Sequence, residues 1–214
     1  MYHLVAGLYA QWNKKSTYHV LLIGLQGGGK TWFQEALRHH YLQGRAPSSR
    51  LPPTVGQNVL DLPYQKRILR FWDLGGAPSM RSLWAQYMAD AHVLVWVIDG
   101  PAWIHNASVE NEAAPTYRDA TSLAWRAVAE EAHTRGQPIV VLVTKMDDVS
   151  SASLVDEIHA SLTKTWREGH SDTTPAYALS CYGVSAKTGE GLASVLEAFL
   201  ADAQSFEATR PPTA

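Results

Sequence analysis

One cysteine, Cys181, stands among the 214 residues, which excludes an internal disulfide and a cysteine-based zinc site and is typical of a reducing compartment. Neither sign of charge dominates, because 18 Lys and Arg stand against 20 Asp and Glu, and we expect no nucleic-acid partner. The apolar runs fall short of the roughly 20 residues of a transmembrane helix, and the first residues lack the pattern of a secretory signal. We therefore expect a cytoplasmic protein that neither crosses a membrane nor is secreted.

The composition is that of one folded domain. Apolar residues make up 46% of the chain and charged residues 18%, whereas about 25% are charged in ordinary globular proteins. A chain of this length buries enough surface for one stable core and is short for two. Because eight tryptophans accompany the low charge, the composition also favours an apolar surface or interface.

Short apolar runs alternate with segments of helical periodicity, which predicts an α/β fold with a mostly parallel sheet and helices on both faces. The predicted strands are His19–Ile23, Val59–Leu62, Ile68–Trp72, Val93–Ile98, Ile139–Val143 and Tyr177–Ser180. The predicted helices are Thr31–Tyr41, Ser82–Asp90, Tyr117–Thr134, Ser153–Trp166 and Gly191–Gln204. Segment Gly100–Pro115 is polar, bounded by prolines and without periodicity, and is predicted to be a surface loop.

Residues 24–31, GLQGGGKT, match the phosphate-binding pattern G-x-x-x-x-G-K-[ST]. The motif follows a predicted strand and opens a predicted helix, which is the context that the chemistry needs. Backbone N–H groups of the glycines converge on phosphate oxygens, Lys30 reaches the β and γ phosphates, and Thr31 offers a hydroxyl to Mg²⁺. A glycine-rich turn with an accidental lysine is the weaker alternative.

Residues 144–147, TKMD, end an apolar strand in the manner of the guanine-recognition pattern [NT]-K-x-D. The carboxylate of Asp147 accepts from both N1–H and the exocyclic amine of guanine, a donor pair that adenine lacks, and the stem of Lys145 covers the base. Residues Ser185, Ala186 and Lys187 then supply a loop whose backbone N–H meets the guanine oxygen, although the same residues suit the start of a helix.

A sensor of the γ-phosphate needs a mobile hydroxyl, a carboxylate beside the Mg²⁺ shell and a backbone N–H at the terminal phosphate. Thr54, Asp73 and Gly76 are the candidates for these roles, in that order. Each also suits a simpler description, since Thr54 follows two prolines and Asp73-Leu-Gly-Gly would end a strand in a turn.

Taken in chain order, GLQGGGKT, PTVGQN, WDLGG, SLWAQY, TKMD and SAKTGEGL resemble the motifs of small GTPases of the ADP-ribosylation factor (Arf) family. The beginning of the chain and its late Arg-Pro-Pro further resemble the Arf-related proteins, which are associated with Golgi membranes. The resemblance implies the P-loop small-GTPase fold with a six-stranded sheet, GTP/GDP and Mg²⁺ as ligands, and a conformational switch read by effectors. It also places Trp72, Trp84 and Tyr87 near the effector surface, although a buried aromatic core explains them equally well.

Motifs and resemblance together predict a set of site residues. The predicted nucleotide contacts are Gly24, Gln26, Gly27, Gly28, Gly29, Lys30, Thr31, Trp32, Thr54, Gly76, Thr144, Lys145, Asp147, Ser185, Ala186 and Lys187. The predicted Mg²⁺ site consists of Thr31, Thr54 and Asp73. The predicted catalytic positions are Lys30, Gly76 and Ala77.

The sequence departs from the family pattern at three places. Ala77 follows Gly75-Gly76 where most relatives carry the glutamine that orients the attacking water, and a methyl group cannot hydrogen-bond that water. Gln57 stands where relatives carry an apolar residue of the effector patch, so the identity of partners does not transfer. Segment Gly100–Pro115 is longer than the usual connection.

Residues 1–16 are predicted to form an amphipathic helix, 17–205 the GTP-binding domain and 206–214 a disordered tail. The apolar face of the helix consists of Met1, Leu4, Val5, Leu8, Tyr9 and Trp12, and it suits a membrane interface as well as packing on the domain. Tyr2 excludes the N-myristoylation signal, so the resemblance implies an acetylated N-terminus and a membrane-protein receptor instead.

Two functions compete on these observations. The leading hypothesis is a GTP/GDP switch in Golgi-associated membrane trafficking, with slow hydrolysis, served by an exchange factor, an activating protein and effectors. The second is a scaffold that binds GTP without turning it over, which Ala77 favours. A P-loop kinase or ATPase is disfavoured by Asp147.

Overall fold

The computed structural model describes residues 16–47, 51–106, 114–149, 151, 153–170 and 177–209. Its strands are β1 (Thr17–Ile23), β2 (Gln57–Tyr64), β3 (Arg67–Leu74), β4 (Val93–Asp99), β5 (Ile139–Thr144) and β6 (Leu179–Gly183). Its α-helices are α1 (Lys30–Leu42), α2 (Trp84–Met88), α3 (Gly100–His105), α4 (Tyr117–Arg135), α5 (Leu154–Gly169) and α6 (Leu192–Thr209). Short 3₁₀ helices span Pro78–Leu83 and Met146–Asp148.

All six strands lie in one sheet, in the order β2-β3-β1-β4-β5-β6. Every neighbouring pair is parallel except β2 and β3, which form an antiparallel hairpin at one edge. The hairpin turns through Gln65 and Lys66, both with positive φ. The prediction of an α/β fold with a six-stranded, mostly parallel sheet is therefore confirmed.

The centre of the sheet is buried on both faces. Strands β4 and β5 consist almost entirely of branched apolar residues, and each of their side chains is buried, as expected for parallel strands covered by helices. One core lies between the sheet and helices α2 to α5, and a second lies between the sheet and helices α1 and α6. Helices on both faces therefore support the carboxyl ends of β1, β4 and β5.

Most of the tryptophans are in the first core. Trp84, Trp96, Trp103, Trp125 and Trp166 are buried, and the first, second and fourth of them pack ring against ring at centroid distances of 5.8 and 6.0 Å. The expectation that the tryptophans form an apolar surface or interface is therefore wrong for these five residues. They fill the core instead, because a large aromatic side chain buries more apolar area than any other.

Segment Gly100–Pro115 is not a loop throughout, because its first residues form α3. The carboxylate of Asp99 caps this helix by accepting from the N–H of Ala102 at 3.0 Å, and Pro101 occupies the first turn, where a missing N–H costs nothing. The proline that suggested a loop therefore marks a helix start. A helix of six residues is too short to show periodicity.

Other elements lie close to the predicted ones with shifted ends, and the predicted helix Ser82–Asp90 is divided between the 3₁₀ helix Pro78–Leu83 and α2. The last strand is Leu179–Gly183 rather than Tyr177–Ser180, because Tyr177 packs edge-on against Trp166 with ring centroids 5.6 Å apart. Helix α6 continues to Thr209, and Phe206 is buried within it, so the ordered domain extends into the segment predicted as a tail.

None of the helices in the described part of the chain has the length and apolarity to cross a membrane. The predicted amphipathic helix lies outside the described residues, except for its last position, and so does the end of the predicted tail.

Candidate nucleotide-binding site

A cavity of about 690 Å³ opens at the carboxyl ends of the central strands. The sheet order changes direction around β1, and in open α/β sheets the crevice beside such a strand is where ligands bind. The lining residues are Gln26, Gly27, Gly28, Gly29, Lys30, Thr31, Trp32, Leu51, Pro52, Pro53, Thr54, Leu74, Gly76, Thr144, Lys145, Asp147, Asp148, Ala186 and Lys187. The predicted phosphate-binding motif and the predicted base-recognition motif therefore line the same cavity.

The phosphate motif forms a tight loop between β1 and α1. Gly27 and Gly29 have φ of 79° and 90°, which residues with a side chain rarely adopt, and Gly29 is the N-cap of α1. The N–H groups of the first helical turn and the positive end of the helix dipole consequently face the cavity without a side chain over them. This geometry suits a bound phosphate.

Lys30 is buried at the base of this loop. Its Nζ donates to the carbonyl oxygens of Gly24 at 2.9 Å and Leu25 at 2.8 Å. Burial lowers the pKa of Lys30 to about 8, although the negative charge of Asp73 acts in the opposite direction. A phosphate beside the amine would stabilise its charged form and so offset the cost of burial. The position of Lys30 therefore favours a phosphate ligand.

An oxygen cluster lies beside the lysine. Thr31 donates to Oδ2 of Asp73 at 2.6 Å, and the hydroxyls of Thr31 and Thr54 are 2.9 Å apart. Burial raises the pKa of Asp73, against the hydrogen bond from Thr31 and the charge of Lys30, and its Oδ1 is buried without a hydrogen-bond partner. Hydroxyl and carboxylate oxygens with unused acceptor capacity are the ligands that Mg²⁺ prefers, so these residues fit the ion.

The segment that follows β3 packs directly on the phosphate loop. A side chain on Gly76 would come within 2.5 Å of the carbonyl oxygen of Gly24 and 2.6 Å of the nitrogen of Gln26, so only glycine fits. Trp84 donates from Nε1 to the carbonyl of Gly75 at 3.2 Å. Ala77, next along, is half-buried at the start of the 3₁₀ helix and does not line the cavity.

At the other end of the cavity, Asp147 is held as a carboxylate. Ser185 donates to its Oδ1 at 2.6 Å, and Nζ of Lys187 lies 3.2 Å from its Oδ2. The hydrogen bond from Ser185, assisted by Lys187, lowers the pKa of Asp147. Each oxygen keeps a further lone pair, so the carboxylate can accept from a base with two adjacent donors.

Thr144 and Lys145 connect the two ends of the cavity. The hydroxyl of Thr144 donates to the carbonyl of Gly28 at 2.7 Å, across 116 positions of sequence. Nζ of Lys145 donates to the carbonyl of Gly27 at 3.3 Å and forms an ion pair with Asp99. The motif predicted to recognise the base is thus bonded to the loop predicted to hold phosphate.

Most of the predicted contacts line the cavity, but four predicted residues do not. Gly24 offers its carbonyl to Lys30, Ser185 orients Asp147, Asp73 lies behind Thr31, and Ala77 directly follows the lining residue Gly76. The sequence-based prediction also missed lining residues, namely Leu51, Pro52, Pro53, Leu74 and Asp148. Three of these directly precede Thr54, and the others adjoin Asp73 and Asp147, so proximity to a motif was the available signal.

The aromatic residues assigned to an effector surface divide into two groups. Trp84 is a core residue. Trp72 and Tyr87 are half-buried and contact each other with ring centroids 5.8 Å apart. Gln57 is exposed at the start of β2.

Phosphate loop, sheet order and base motif together define a P-loop nucleotide-binding protein of the small-GTPase type. The family model described as "ADP-ribosylation factor family" matches residues 4–203. This chain therefore belongs to the ADP-ribosylation factor family, whose GTPases bind GTP and GDP and work with regulators and effectors.

Curated relatives match nearly the whole chain. ADP-ribosylation factor-like protein 3 of Saccharomyces cerevisiae is 33% identical over 215 residues, covering 99% of this chain and 98% of that protein. ADP-ribosylation factor-related protein 1 of Homo sapiens is 32% identical over 199 residues, covering 92% and 90%. Among solved structures, the Arl6 BBS3 small GTPase of Trypanosoma brucei, with a bound GppNp, superposes with a TM-score of 0.62 at 18% identity, covering 89% of this chain and 99% of that one.

Proposed function

We propose that this protein is a Mg²⁺-dependent GTP/GDP switch that acts in Golgi-associated membrane trafficking and hydrolyses GTP slowly. The observation that carries the proposal is the pairing, in one cavity, of a glycine loop at the start of α1 with the Asp147 carboxylate held by Ser185 and Lys187. A guanine nucleotide fits both features, because its phosphates can bind to the glycine loop while its base donates to the Asp147 carboxylate. Adenine would leave the carboxylate facing an acceptor.

The Mg²⁺ would be held by the hydroxyls of Thr31 and Thr54, with Asp73 behind them. When bound, the ion neutralises charge on the phosphates. Thr54 belongs to the segment before β2, whereas Thr31 belongs to α1. The contact between their hydroxyls therefore joins an irregular segment to the first turn of a helix, and a γ-phosphate switch requires that such a segment change its contacts when the nucleotide changes.

Slow hydrolysis follows from Ala77. The chain leaves β3 through Gly75 and Gly76 and presents a methyl group where a water-orienting amide would be needed. The loop, Lys30 and the metal site still supply charge stabilisation, so the rate is reduced rather than abolished. The same methyl group favours the alternative of a scaffold that binds GTP without turnover and engages effectors constitutively.

The nucleotide retained by the purified protein tests these proposals. Chromatography of the denatured protein identifies the nucleotide, and competition with GDP, ADP and XDP measures base selectivity. We expect guanine nucleotides to bind at least about tenfold more tightly than ADP, since one charge-assisted hydrogen bond corresponds to about that factor. Retained GDP supports a turning-over switch, retained GTP supports the scaffold, and retained ATP would contradict guanine recognition.

We further propose that the protein is cytoplasmic and peripheral on Golgi or trans-Golgi membranes, anchored through residues 1–16 with the help of a membrane receptor. Support comes from the helical spacing of apolar residues at positions 1–12 and from the likeness to the Arf-related proteins. An exchange factor, an activating protein and trafficking effectors would be its partners.

Flotation with Golgi membranes tests the anchor. Deletion of residues 1–15 should abolish recruitment and leave GDP binding unchanged, because none of the residues lining the cavity is removed. A control variant with Leu4→Ser and Leu8→Ser alone keeps the chain length. Recruitment that survives both changes would show that the segment is not a membrane anchor.

A further inference from the structure

The carboxylate of Asp99 joins three parts of the molecule at the end of β4. One oxygen, Oδ1, accepts from the N–H of Ala102 and caps α3, while Oδ2 pairs with Nζ of Lys145. The backbone N–H of Asp99 donates to the hydroxyl of Tyr117, the first residue of α4, at 2.9 Å. The side chain is 11% exposed, so bulk water competes little for either oxygen.

Asp99 reaches Lys145 because β4 and β5 are parallel and in register. Asp99 is opposite Thr144, and a side chain on Gly100 would come within 2.9 Å of the carbonyl oxygen of Thr144. The hydroxyl of Thr144 also lies 3.2 Å from the carbonyl oxygen of Ile98. The start of α3 is therefore packed against the first residues of the base motif.

Lys145 is bound on two sides. Its amine contacts the carbonyl of Gly27 in the phosphate loop and the carboxylate of Asp99, and its backbone has φ of 59°, which few residues other than glycine adopt. Two acceptors and an unusual backbone conformation together restrict its side chain. Without Asp99, a single carbonyl contact at 3.3 Å would be left to hold a flexible lysine.

We propose that Asp99 is a positioning residue for the guanine nucleotide: it holds the aliphatic stem of Lys145 against the base-binding end of the cavity and thereby couples α3 to nucleotide retention. The inference rests on guanine-nucleotide binding in this cavity. When the methylene chain of Lys145 is held in place, it covers one face of the base and excludes water from it. A mobile lysine would cover the base for only part of the time.

The competing explanation is that Asp99 only caps α3. The variant Asp99→Ser separates the two roles, because a serine hydroxyl caps a helix about as well as a carboxylate but carries no charge for Lys145. Asp119→Ser is the matched control, since it removes the same charge from the first turn of α4, where Asp119 contacts Thr116 and does not line the cavity.

The experiment is a double-mutant cycle on the dissociation rate of N-methylanthraniloyl-GDP from the full chain. Asp99→Ser should speed dissociation about tenfold, the order expected for a partly exposed charge-assisted hydrogen bond. Lys145→Met, which keeps the apolar stem and removes the amine, should have a similar effect. In the Lys145→Met background, Asp99→Ser should add less than about twofold, because residues that act through one contact are not additive.

The outcomes separate the two levels of inference. A parent protein that does not bind the probe would contradict the proposed function before any variant is compared. A parent that binds, with Asp99→Ser releasing the probe no faster than Asp119→Ser, would overturn the positioning role alone, and so would additive effects of Asp99→Ser and Lys145→Met. If Asp99→Ser does not fold, Asp99→Asn carries the same cycle, since its one acceptor oxygen cannot serve both α3 and Lys145.

Discussion

Replacing Thr144 by valine tests how firmly the base motif is tied to the phosphate loop. Threonine and valine have the same shape, so the change removes the hydroxyl and leaves the packing of β5 in place. The hydroxyl has one proton, and the nearer of its two carbonyl partners is that of Gly28 at 2.7 Å, against 3.2 Å for Ile98. Thr144 is itself buried, so no water replaces the lost donor.

The expected cost follows from these contacts. A buried neutral hydrogen bond contributes about 1 kcal/mol, and a buried carbonyl left without its donor adds about 1 to 3 kcal/mol. The valine methyl also lies against Gly29, whose own side-chain position would be 3.0 Å from the threonine oxygen. We expect a loss of about 2 kcal/mol in unfolding free energy, which for a domain of this size is a fall of roughly 4 to 8 °C in Tm.

Thermal unfolding at a fixed excess of GDP measures the effect, and dissociation of the fluorescent GDP analogue shows how much of it comes from weaker binding. Thr144→Ser is the control, because it keeps the hydroxyl and removes only the methyl group. If the valine variant unfolds at the temperature of the parent, the bond to the phosphate loop contributes nothing, and Thr144 does not tie the two motifs together.

Three further outcomes are expected. Ala77→Gln should speed single-turnover hydrolysis of bound GTP by restoring a side chain that orients water, and a fast parent or an unchanged variant would mean that another residue does so. Asp147→Asn should shift binding from GDP toward XDP, because the amide donates where the carboxylate accepted; equal affinities of the parent for GDP, ADP and XDP would contradict the assignment. In the nucleotide-free protein the lowered pKa of Lys30 should contribute up to about 3 kcal/mol of stability as pH rises from about 8 toward 10.5, because the unfolded chain binds the extra proton in that window, whereas the partly buried Cys181 thiol, whose pKa is raised to about 12, acts in the opposite direction. Urea unfolding should therefore show the unfolding free energy of the parent rising relative to that of Lys30→Met across this range, and equal pH dependence of the two proteins would contradict the role of Lys30.

Local patterns predicted the fold and the motifs because the physics behind them is local. The run of buried residues in β5 and the spacing of glycines before Lys30 each depend on neighbours in sequence. Helix α3 was missed because its stability comes from a cap at Asp99 and from packing, which leave no periodic trace in six residues.

The long-range contacts of the site could not be predicted in the same way. Asp99 and Lys145 are 46 positions apart, and their pairing depends on the order and register of β4 and β5. One signal was present, since both residues directly end or follow apolar strands and the carboxyl ends of parallel strands meet at one edge. The orientation of Asp147 by Ser185, by contrast, depends on a loop whose conformation no pattern describes.

The turn between β2 and β3 lowers the stability of this edge of the sheet. A two-residue connection in the left-handed region is the one that matches the twist of a hairpin, and it is best made by Asn-Gly. Gln65 and Lys66 occupy it at φ of 43° and 64°, at a cost of about 1 kcal/mol or more for each residue. The strain is confined to the tip of the hairpin, whereas the two hydrogen bonds from Arg70 to Asp61 farther along hold β2 and β3 in register. An Asn-Gly tip would remove this backbone strain and so stabilise the edge strand in its present register.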